Sequence, residues 1–388
     1  CLHPEPRYLP LEEVERAHLL EVCDVTSEAH AQAVIQAAQR SLDLSRGQLL
    51  RGVLLREPAR ERLLLVIHHF ASDGVSLRVL LDELASACEL QAVETEPPSV
   101  DPGRWAERLE AWSTEPQLLE QRAFWREQLQ GGALQGVAAQ CDRVGECQAL
   151  SVRLDAERTA KLLREAGRQF RLRTNELLLT ALVRAVQRWN GQTSFSVQLE
   201  GHGRESRWSD LDPSRSIGWF TCVYPLALEY QAEIGANLRA IKERVRSVPD
   251  AGLGYGVLTQ LVNVHDASAA PSITFNYLGQ LDDSFDARRS PFELLSIEPG
   301  DSVDPDASAA SPIVIDAWVA GGELRLRWTV SPSALPLSAA SELLAVFERE
   351  LHDVIAQATA AAPALTPSDL TYVRLSQAQL DALPFASG

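Results

Sequence analysis

The stretch His68-His69-Phe70-Ala71-Ser72-Asp73-Gly74 joins an apolar, strand-like run at residues 63–67 to a segment with helical spacing at 75–90. Adjacent residues of a strand point to opposite faces, so only one of the two imidazoles is expected to face a cleft. Asp73-Gly74 is expected to turn the chain into the helix. The stretch therefore predicts a strand–turn–helix unit that carries either a functional imidazole or a buried structural one.

The residues around this unit, up to about residue 143, alternate between helical and strand-like patterns. Apolar runs at 49–55 and 62–68 flank a charged turn at 56–61, which is a hairpin signal. The Gly-, Ala- and Gln-rich stretch 131–145 has weak periodicity and is the best candidate for a linker. Apolar residues recur at helical spacing in four segments, which predicts helices at 28–41, 75–90, 105–112 and 118–129.

A second α/β pattern begins at Gln148. Near its end, two strand-like runs are joined by Ala320-Gly321-Gly322, whose glycines suit a hairpin turn. Because both halves share this rhythm, we predict an α/β fold with two related lobes, residues 1–145 and 146–388, facing each other across a cleft. The predicted strands of the second half are 149–154, 194–200, 272–280, 313–319 and 323–330, and its helices are 156–168, 175–189 and 338–358.

The composition restricts the classes of function. The 388 residues include 53 acidic and 36 basic side chains, and the net charge of −17 argues against nucleic-acid or membrane-surface partners, which need a basic face. No apolar run approaches the roughly 20 residues that span a bilayer, and no signal-peptide pattern is present, so a cytoplasmic protein is predicted. Adjacent histidines do not readily ligate one ion and the cysteines have no metal-type spacing, so no metal site is expected.

Three further stretches carry polar, glycine or aromatic residues, two of them at predicted strands. EGHGRE at 200–205 begins with Glu200, where burial could raise the carboxyl pKa toward that of a useful base. IGWFT at 217–221 and SITFNYLGQ at 272–280 carry glycine, aromatic and amide side chains. Taken singly, each of the three is explained better by a polar loop or by ordinary packing.

Taken together and in this order, the stretches resemble a known family. HHxxxDG at 68–74 is similar to the active-site motif of the condensation-domain superfamily of non-ribosomal peptide synthetases. The similar blocks keep the family's order from about residue 20 to the end of the chain. Those that resemble the epimerization branch specifically are EGHGRE, IGWFT, Tyr224-Pro225 and FNYLGQ at 275–280, together with 175–182, 252–256 and TPSDL at 366–370.

The resemblance implies two chloramphenicol-acetyltransferase-like lobes in a V-shaped pseudo-dimer with a tunnel between them. The tunnel would admit the 4'-phosphopantetheine arm of a peptidyl carrier protein that lies upstream, in the same polypeptide, and a condensation domain would follow downstream. The implied reaction inverts the Cα centre of an aminoacyl or peptidyl thioester from L to D through an enolate. Neither a metal nor an organic cofactor of the domain's own is implied.

The resemblance also implies roles for single residues. His69 and Glu200 are expected to be the acid/base pair on the two faces of Cα, with Tyr277 near the enolate oxygen. Asp73 is expected to form a buried ion pair with Arg204 that fixes the shape of the loop. The residues expected to be structural are His68, Asp73, Gly74 and Arg204, and the candidates for the tunnel wall are Ser72, His202, Trp219 and Asn276.

Two departures from the family pattern accompany the match. Family members carry a stretch ahead of the HH motif that this chain lacks, so the first lobe is expected to miss its first part. Leu77 stands where tryptophan is common in the epimerization branch, which is a change at the level of packing.

Rival functions remain at this stage. A peptide-bond-forming condensation domain shares His69, but it has no evident use for a carboxylate at Glu200. A catalytically silent, condensation-like docking module is disfavoured by the intact His69, Asp73 and Glu200. A free-standing acyltransferase with His69 as general base is the most distant alternative.

Overall fold

The computed structural model of the protein describes residues 19–58, 60–88, 100–205, 207–264, 270–281, 292–293, 295, 302–362, 364–370, 372–373 and 375–382. Within these ranges the chain forms a mixed α/β structure with a three-stranded and a six-stranded sheet. The α/β class predicted from the sequence is therefore confirmed.

The smaller sheet precedes the HHxxxDG stretch and has the order β1-β2-β3. Strand β2 pairs parallel to β1 and antiparallel to β3, so the predicted hairpin is present. Helix α1 covers one face and buries Ala31 and Ile35 against Val53 and Leu55. The elements of this part are β1 (Leu20–Asp24), α1 (Glu28–Arg40), β2 (Leu50–Arg56), β3 (Glu61–Ile67) and α2 (Gly74–Cys88).

The larger sheet has the order β4-β9-β8-β7-β5-β6. Its three middle strands, β8, β7 and β5, are parallel neighbours, whereas the outer pairs are antiparallel. The turn between β8 and β9 has two glycines with φ of 63° and 72°, as a tight hairpin turn requires. The strands are β4 (Gln148–Leu154), β5 (Ser194–Gly201), β6 (Cys222–Glu229), β7 (Ile273–Gln280), β8 (Ile313–Ala320) and β9 (Glu323–Val330).

The main hydrophobic core lies against this larger sheet. Helix α8 (Thr174–Asn190) is buried from Glu176 to Val186, and it packs on the long helix α11 (Leu337–Ala360). The helices around the core are α3 (Pro102–Trp112), α4 (Pro116–Glu120), α5 (Arg122–Leu129), α6 (Ala156–Ala160), α7 (Gly167–Phe170), α8 (Thr174–Asn190), α9 (Ile234–Arg246), α10 (Leu253–Gln260), α11 (Leu337–Ala360) and, near the end of the chain, α12 (Gln377–Asp381).

Helices α3 to α5 belong to the main core although they precede the predicted linker. Trp105, Trp112 and Trp125 are buried in it, and so is Leu134 within the stretch proposed as the linker. The helices before the predicted linker thus share one hydrophobic core with the second half of the chain. The division of the chain into lobes at residue 145 stays a prediction.

Several elements differ from the sequence prediction. The helix predicted at 156–168 is divided by a π-helical turn, Lys161–Ala166, and the helix predicted at 118–129 is divided at Gln121. Strands β1 and β6 and helices α9, α10 and α12 were not predicted. Strand β6 contains Pro225, and proline is unfavourable in a central strand. It is tolerated here because β6 is an edge strand, where the missing N–H removes no hydrogen bond between strands. The predicted end of α2 at residues 89–90 lies outside the described residues.

Candidate active site

The first histidine of the HH pair forms hydrogen bonds within the turn after β3 and to the residue just before β2. Strand β3 ends at Ile67, and residues His69–Ala71 form a 3-10 turn. The Nδ1 atom of His68 accepts a hydrogen bond from the Phe70 N–H at 3.1 Å, and the His68 N–H donates to the Leu49 carbonyl at 2.8 Å. The expectation that strand alternation separates the two imidazoles was therefore wrong, because the turn separates them instead.

His69 is the histidine that stays open to solvent. Its imidazole lies against the indole of Trp219, with 4.8 Å between the ring centroids and an angle of 41° between the planes. Trp219 itself is 51% exposed. The two rings therefore form a partly open wall next to the turn, contributed by two distant parts of the chain.

Asp73 and Arg204 form the ion pair that the sequence analysis expected. Arg204 Nη2 lies 2.7 Å from Asp73 Oδ1, and the two side chains are 3% and 1% exposed. Asp73 also caps helix α2, because its Oδ1 accepts from the N–H and the hydroxyl of Ser76 at 2.8 and 2.9 Å. Its other oxygen accepts from the Phe220 N–H at 3.1 Å. The buried Asp73 carboxylate thus links α2 to the segment that carries Arg204, after β5, and to the segment that carries Phe220, before β6.

Ser76 and Arg204 extend this network to the loop that carries Trp219. The Ser76 hydroxyl donates to the Gly218 carbonyl at 2.9 Å, and Arg204 Nη2 donates to the Ser76 hydroxyl at 2.8 Å. The Arg204 guanidinium lies over the Phe220 ring, 4.4 Å from its centroid. These contacts hold the residues on both sides of Trp219, so they fix its position at His69. Sequence reasoning missed Ser76, whose signal was a serine three residues after an N-cap aspartate.

Gly203 permits the close approach of its loop to the Phe220 backbone. Its φ is +65°, and an added Cβ would lie 1.7 Å from the Phe220 carbonyl oxygen. We expect Gly203→Ala to destabilise the protein by roughly 2–4 kcal/mol in urea unfolding, because both the backbone conformation and the contact disfavour a side chain.

Gly256 provides the control for that substitution. It lies inside α10, where an added Cβ meets nothing within 4 Å, so Gly256→Ala should be neutral or stabilise by up to about 1 kcal/mol. Equal stability of Gly203→Ala and the parent would contradict the close packing of this loop.

Glu200 begins a row of polar residues that crosses four neighbouring strands. Leu199 on β5 is in register with Phe275 on β7, which places Glu200 beside Asn276 on the opposite face. Asn276 is in register with Asp316 on β8, and Asp316 with Arg327 on β9. The Asn276 Nδ2 atom donates to Asp316 Oδ1 at 3.0 Å. Asp316 was not among the predicted site residues.

Burial raises the pKa of the Glu200 carboxyl above its ordinary value, and the negative charge of Asp316 adds to that rise. The positive charge of His69 and the hydrogen bond from the Asn276 amide act in the opposite direction. The side chain nevertheless reaches solvent. A carboxyl group that is crowded by protein but still accessible is typical of the wall of a cleft, and a raised pKa suits proton transfer near neutral pH.

The other predicted residues lie around this centre. The Tyr277 side chain packs against the main hydrophobic core, while Asn276 faces the carboxylates. The Nδ1 atom of His202 accepts from the Arg204 N–H at 3.0 Å, and its Nε2 lies 3.2 Å from Glu205. Ser72 is buried at the end of the 3-10 turn.

Gly74 is the first residue of α2, and an added Cβ there would meet nothing within 4 Å. The packing of the described residues therefore gives no steric reason for glycine at this position. The ranges that the structure describes hold no cluster of three potential metal ligands, and none of their helices is long and apolar enough to cross a bilayer.

Comparison with known proteins identifies the family. A model of the condensation domain matches residues 7–369. The chain belongs to the condensation-domain family. It is 32% identical over 328 residues to bacitracin synthase 3 of Bacillus licheniformis, and 34% identical over 309 residues to surfactin synthase subunit 1 of Bacillus subtilis. These matches cover 81% and 74% of the chain but only 5% and 8% of the two synthases.

Two solved structures show a fold similar to that of this chain. The epimerization domain from the third module of tyrocidine synthetase B aligns with a TM-score of 0.78 and 27% identity, covering 88% of this chain and 81% of that one. The condensation domain of the Monacolin K polyketide synthase aligns with a TM-score of 0.69, covering 89% and 80%, at 18% identity. The second likeness shows the fold alone.

Proposed function

We propose that this condensation-family domain inverts the Cα stereocentre of an aminoacyl or peptidyl group, held as a thioester on the phosphopantetheine arm of a carrier protein. One observation carries the proposal. An exposed imidazole, His69, comes from the turn after β3, and a crowded carboxyl group with raised pKa, Glu200, comes from β5 of the larger sheet; a positive charge on His69 lowers the pKa of Glu200. Epimerization needs such a pair, because protons must be exchanged on two faces of one carbon.

The reaction follows from the acidity of a carbon next to a thioester. One group removes the Cα proton, the electron pair moves onto the carbonyl oxygen as an enolate, and the other group returns a proton to the opposite face. His69 and Glu200 are the proposed pair, in either order. The Asn276 amide lies at Glu200 and is a better-supported third group than Tyr277, whose side chain packs against the core.

The proposed architecture is a V of two chloramphenicol-acetyltransferase-like lobes, residues 1–145 and 146–388, with a tunnel for the phosphopantetheine arm. The two separate sheets and the likeness to an epimerization domain support it. A carrier protein upstream in the same polypeptide and a condensation domain downstream are the proposed partners, since the matched region makes up only 5% of bacitracin synthase 3 and 8% of surfactin synthase subunit 1.

Condensation is the second candidate function, because the family contains it and it shares His69. The row from Glu200 to Asp316 favours epimerization, since attack of an amine on a thioester has no evident use for a carboxyl group there. A silent docking module is disfavoured by the open His69 and the intact network at Asp73.

The raised pKa of Glu200 predicts an unusual effect of pH on stability. In the folded protein the neutral carboxyl is favoured, so the charged form destabilises the fold as pH rises above the ordinary value of 4.5. Glu200→Gln mimics the neutral form. We therefore expect this variant to have a higher Tm than the parent at pH 8, and the difference to shrink to about zero at pH 4. A lower Tm of Glu200→Gln at pH 8 would contradict the environment described for this carboxyl group.

The function is tested with a carrier protein loaded with an L-aminoacyl or L-peptidyl pantetheine thioester. The loaded carrier is incubated with the domain in deuterated water, and the released acid is examined by chiral chromatography and mass spectrometry. Epimerization predicts an L/D mixture that carries deuterium at Cα. Amide formation after addition of an acceptor-loaded carrier would favour condensation, and no exchange with several substrates would favour the docking module.

A further inference from the structure

Asp316 is a charged residue in the middle of the polar row, and the proposed reaction leaves it without a role. It lies on β8, half-buried, between Asn276 on one side and Arg327 on the other. Burial raises the pKa of the Asp316 carboxyl, whereas the Asn276 amide and the charge of Arg327 favour its ionised form. Burying a charge in a sheet costs free energy of folding, so the position of Asp316 close to Glu200 calls for an explanation.

The contact with Asp316 determines the orientation of the Asn276 amide. Asn276 Nδ2 donates to Asp316 Oδ1 at 3.0 Å, and the register of β5 with β7 places the same side chain beside Glu200. Asn276 Oδ1 is buried and has no hydrogen-bond partner among the described residues. Rotation of the amide by 180° would bring Oδ1 against the Asp316 carboxylate, which has no proton to offer when ionised. Asp316 thus holds the N–H groups toward the carboxylates and leaves Oδ1 unsatisfied.

The groups that shift the pKa of Glu200 come from three neighbouring elements. The turn after β3 contributes His69, β7 contributes the Asn276 amide, and β8 contributes Asp316. Arg327 on β9 acts on Asp316. Among these groups, the charge of Asp316 affects the Glu200 pKa more strongly than either His69 or Asn276 does.

We propose that Asp316 is a positioning residue for Glu200: it fixes the Asn276 amide between the two carboxylates and so sets the protonation and orientation of Glu200. The inference rests on the proposed function, because it assigns Asp316 to the same pair. Asp316 does not touch the reacting carbon in this account; it acts through Asn276 and through its charge.

Asp316→Asn is the most direct variant, because it keeps the shape and removes the charge. The new amide can donate or accept, so Asn276 is free to rotate and to lose its contact with Glu200. We expect the rate of Cα exchange at neutral pH to fall roughly tenfold, because Glu200 is no longer held in position relative to His69. The pH at which Glu200 titrates should move downward, since the negative charge that raises its pKa is gone.

The titration of Glu200 is measured by ¹³C NMR of protein labelled at the glutamate carboxyls, with the resonance assigned by its loss in Glu200→Gln. The control is Glu323→Gln, which removes a negative charge at the far end of the β8–β9 hairpin, where Glu323 lies near Arg153 and Arg325. A downward shift in Asp316→Asn and not in Glu323→Gln supports the proposal. An unchanged Glu200 titration in a folded Asp316→Asn protein would overturn it.

A double-mutant cycle tests whether Asp316 acts through Asn276. If it does, Asp316→Asn should lower the exchange rate much less in an Asn276→Ala background than in the parent, because the positioned group is already absent. Equal fold-losses in both backgrounds would overturn the positioning role.

The NMR titration separates this inference from the proposed function. If the parent protein shows no Cα exchange but the Glu200 titration shifts in Asp316→Asn, epimerization is refuted and the electrostatic role of Asp316 stands. If the parent exchanges Cα protons but the Glu200 titration does not shift in Asp316→Asn, the role of Asp316 is refuted and epimerization stands.

Discussion

Replacing His69 by alanine or Glu200 by glutamine should each lower the rate of Cα exchange by about 10²–10⁴-fold, because each removes proton transfer on one face of the carbon. Both side chains reach solvent, and neither belongs to the buried network at Asp73. The variants should therefore fold as the parent does, and Glu200→Gln should be the more stable of the two at pH 8. Rates are measured by deuterium uptake at Cα under single-turnover conditions.

Matched substitutions away from the site provide the controls for these losses. His30→Ala removes an imidazole from the exposed side of α1, and Glu110→Gln removes a carboxylate from the exposed side of α3. Both control variants should catalyse Cα proton exchange at the parent rate. If His69→Ala or Glu200→Gln also keeps the parent rate, the assignment of the acid/base pair is wrong.

Asp73→Ala should destabilise the protein by roughly 3–5 kcal/mol, because it leaves the buried Arg204 guanidinium without its counter-charge. The same change removes the cap of α2 and the acceptor for the Phe220 N–H. The loop that holds Trp219 against His69 then loses its anchor, so activity should fall together with stability. Urea unfolding followed by circular dichroism gives the free energy, and the chiral assay gives the activity.

Two comparisons test that the loss comes from the buried charge. Asp210→Ala breaks an ion pair with Arg108 whose side chains are 56% and 37% exposed, so it should cost less than about 1 kcal/mol. Asp73→Ala combined with Arg204→Leu should recover part of the stability, since no unpaired charge remains. A cost of Asp73→Ala as small as that of Asp210→Ala would contradict the role assigned to this pair.

Local patterns in the sequence predicted the elements that local chemistry determines. The β2–β3 and β8–β9 hairpins follow from alternation and turn residues, and both are present. Strand β6 escaped prediction because Pro225 is tolerated only at a sheet edge, and edges are decided by strand order. The division of the helix predicted at 156–168 by a π-helical turn has no comparable signal in the sequence.

The candidate site was predictable only where a motif marked it. His69, Glu200 and the pairing of Asp73 with Arg204 came from resemblance to a family, and the structure places the pair at 2.7 Å. Asp316 lies in an ordinary alternating strand, 40 residues after Asn276, and only the register of β7 with β8 brings the two together. Sequence spacing does not contain that register, so the row across the sheet needed the structure.

The most direct test of the central claim starts the reaction from both stereoisomers. Carrier protein loaded with the L-aminoacyl thioester and carrier loaded with the D-aminoacyl thioester are incubated separately with the domain, and the released acids are separated by chiral chromatography over time. Because an epimerase accelerates both directions, the two reactions should converge on one L/D ratio. If each reaction keeps its starting configuration while the folded domain is present, the domain does not epimerize that substrate. The same result with several aminoacyl and peptidyl substrates would contradict the account.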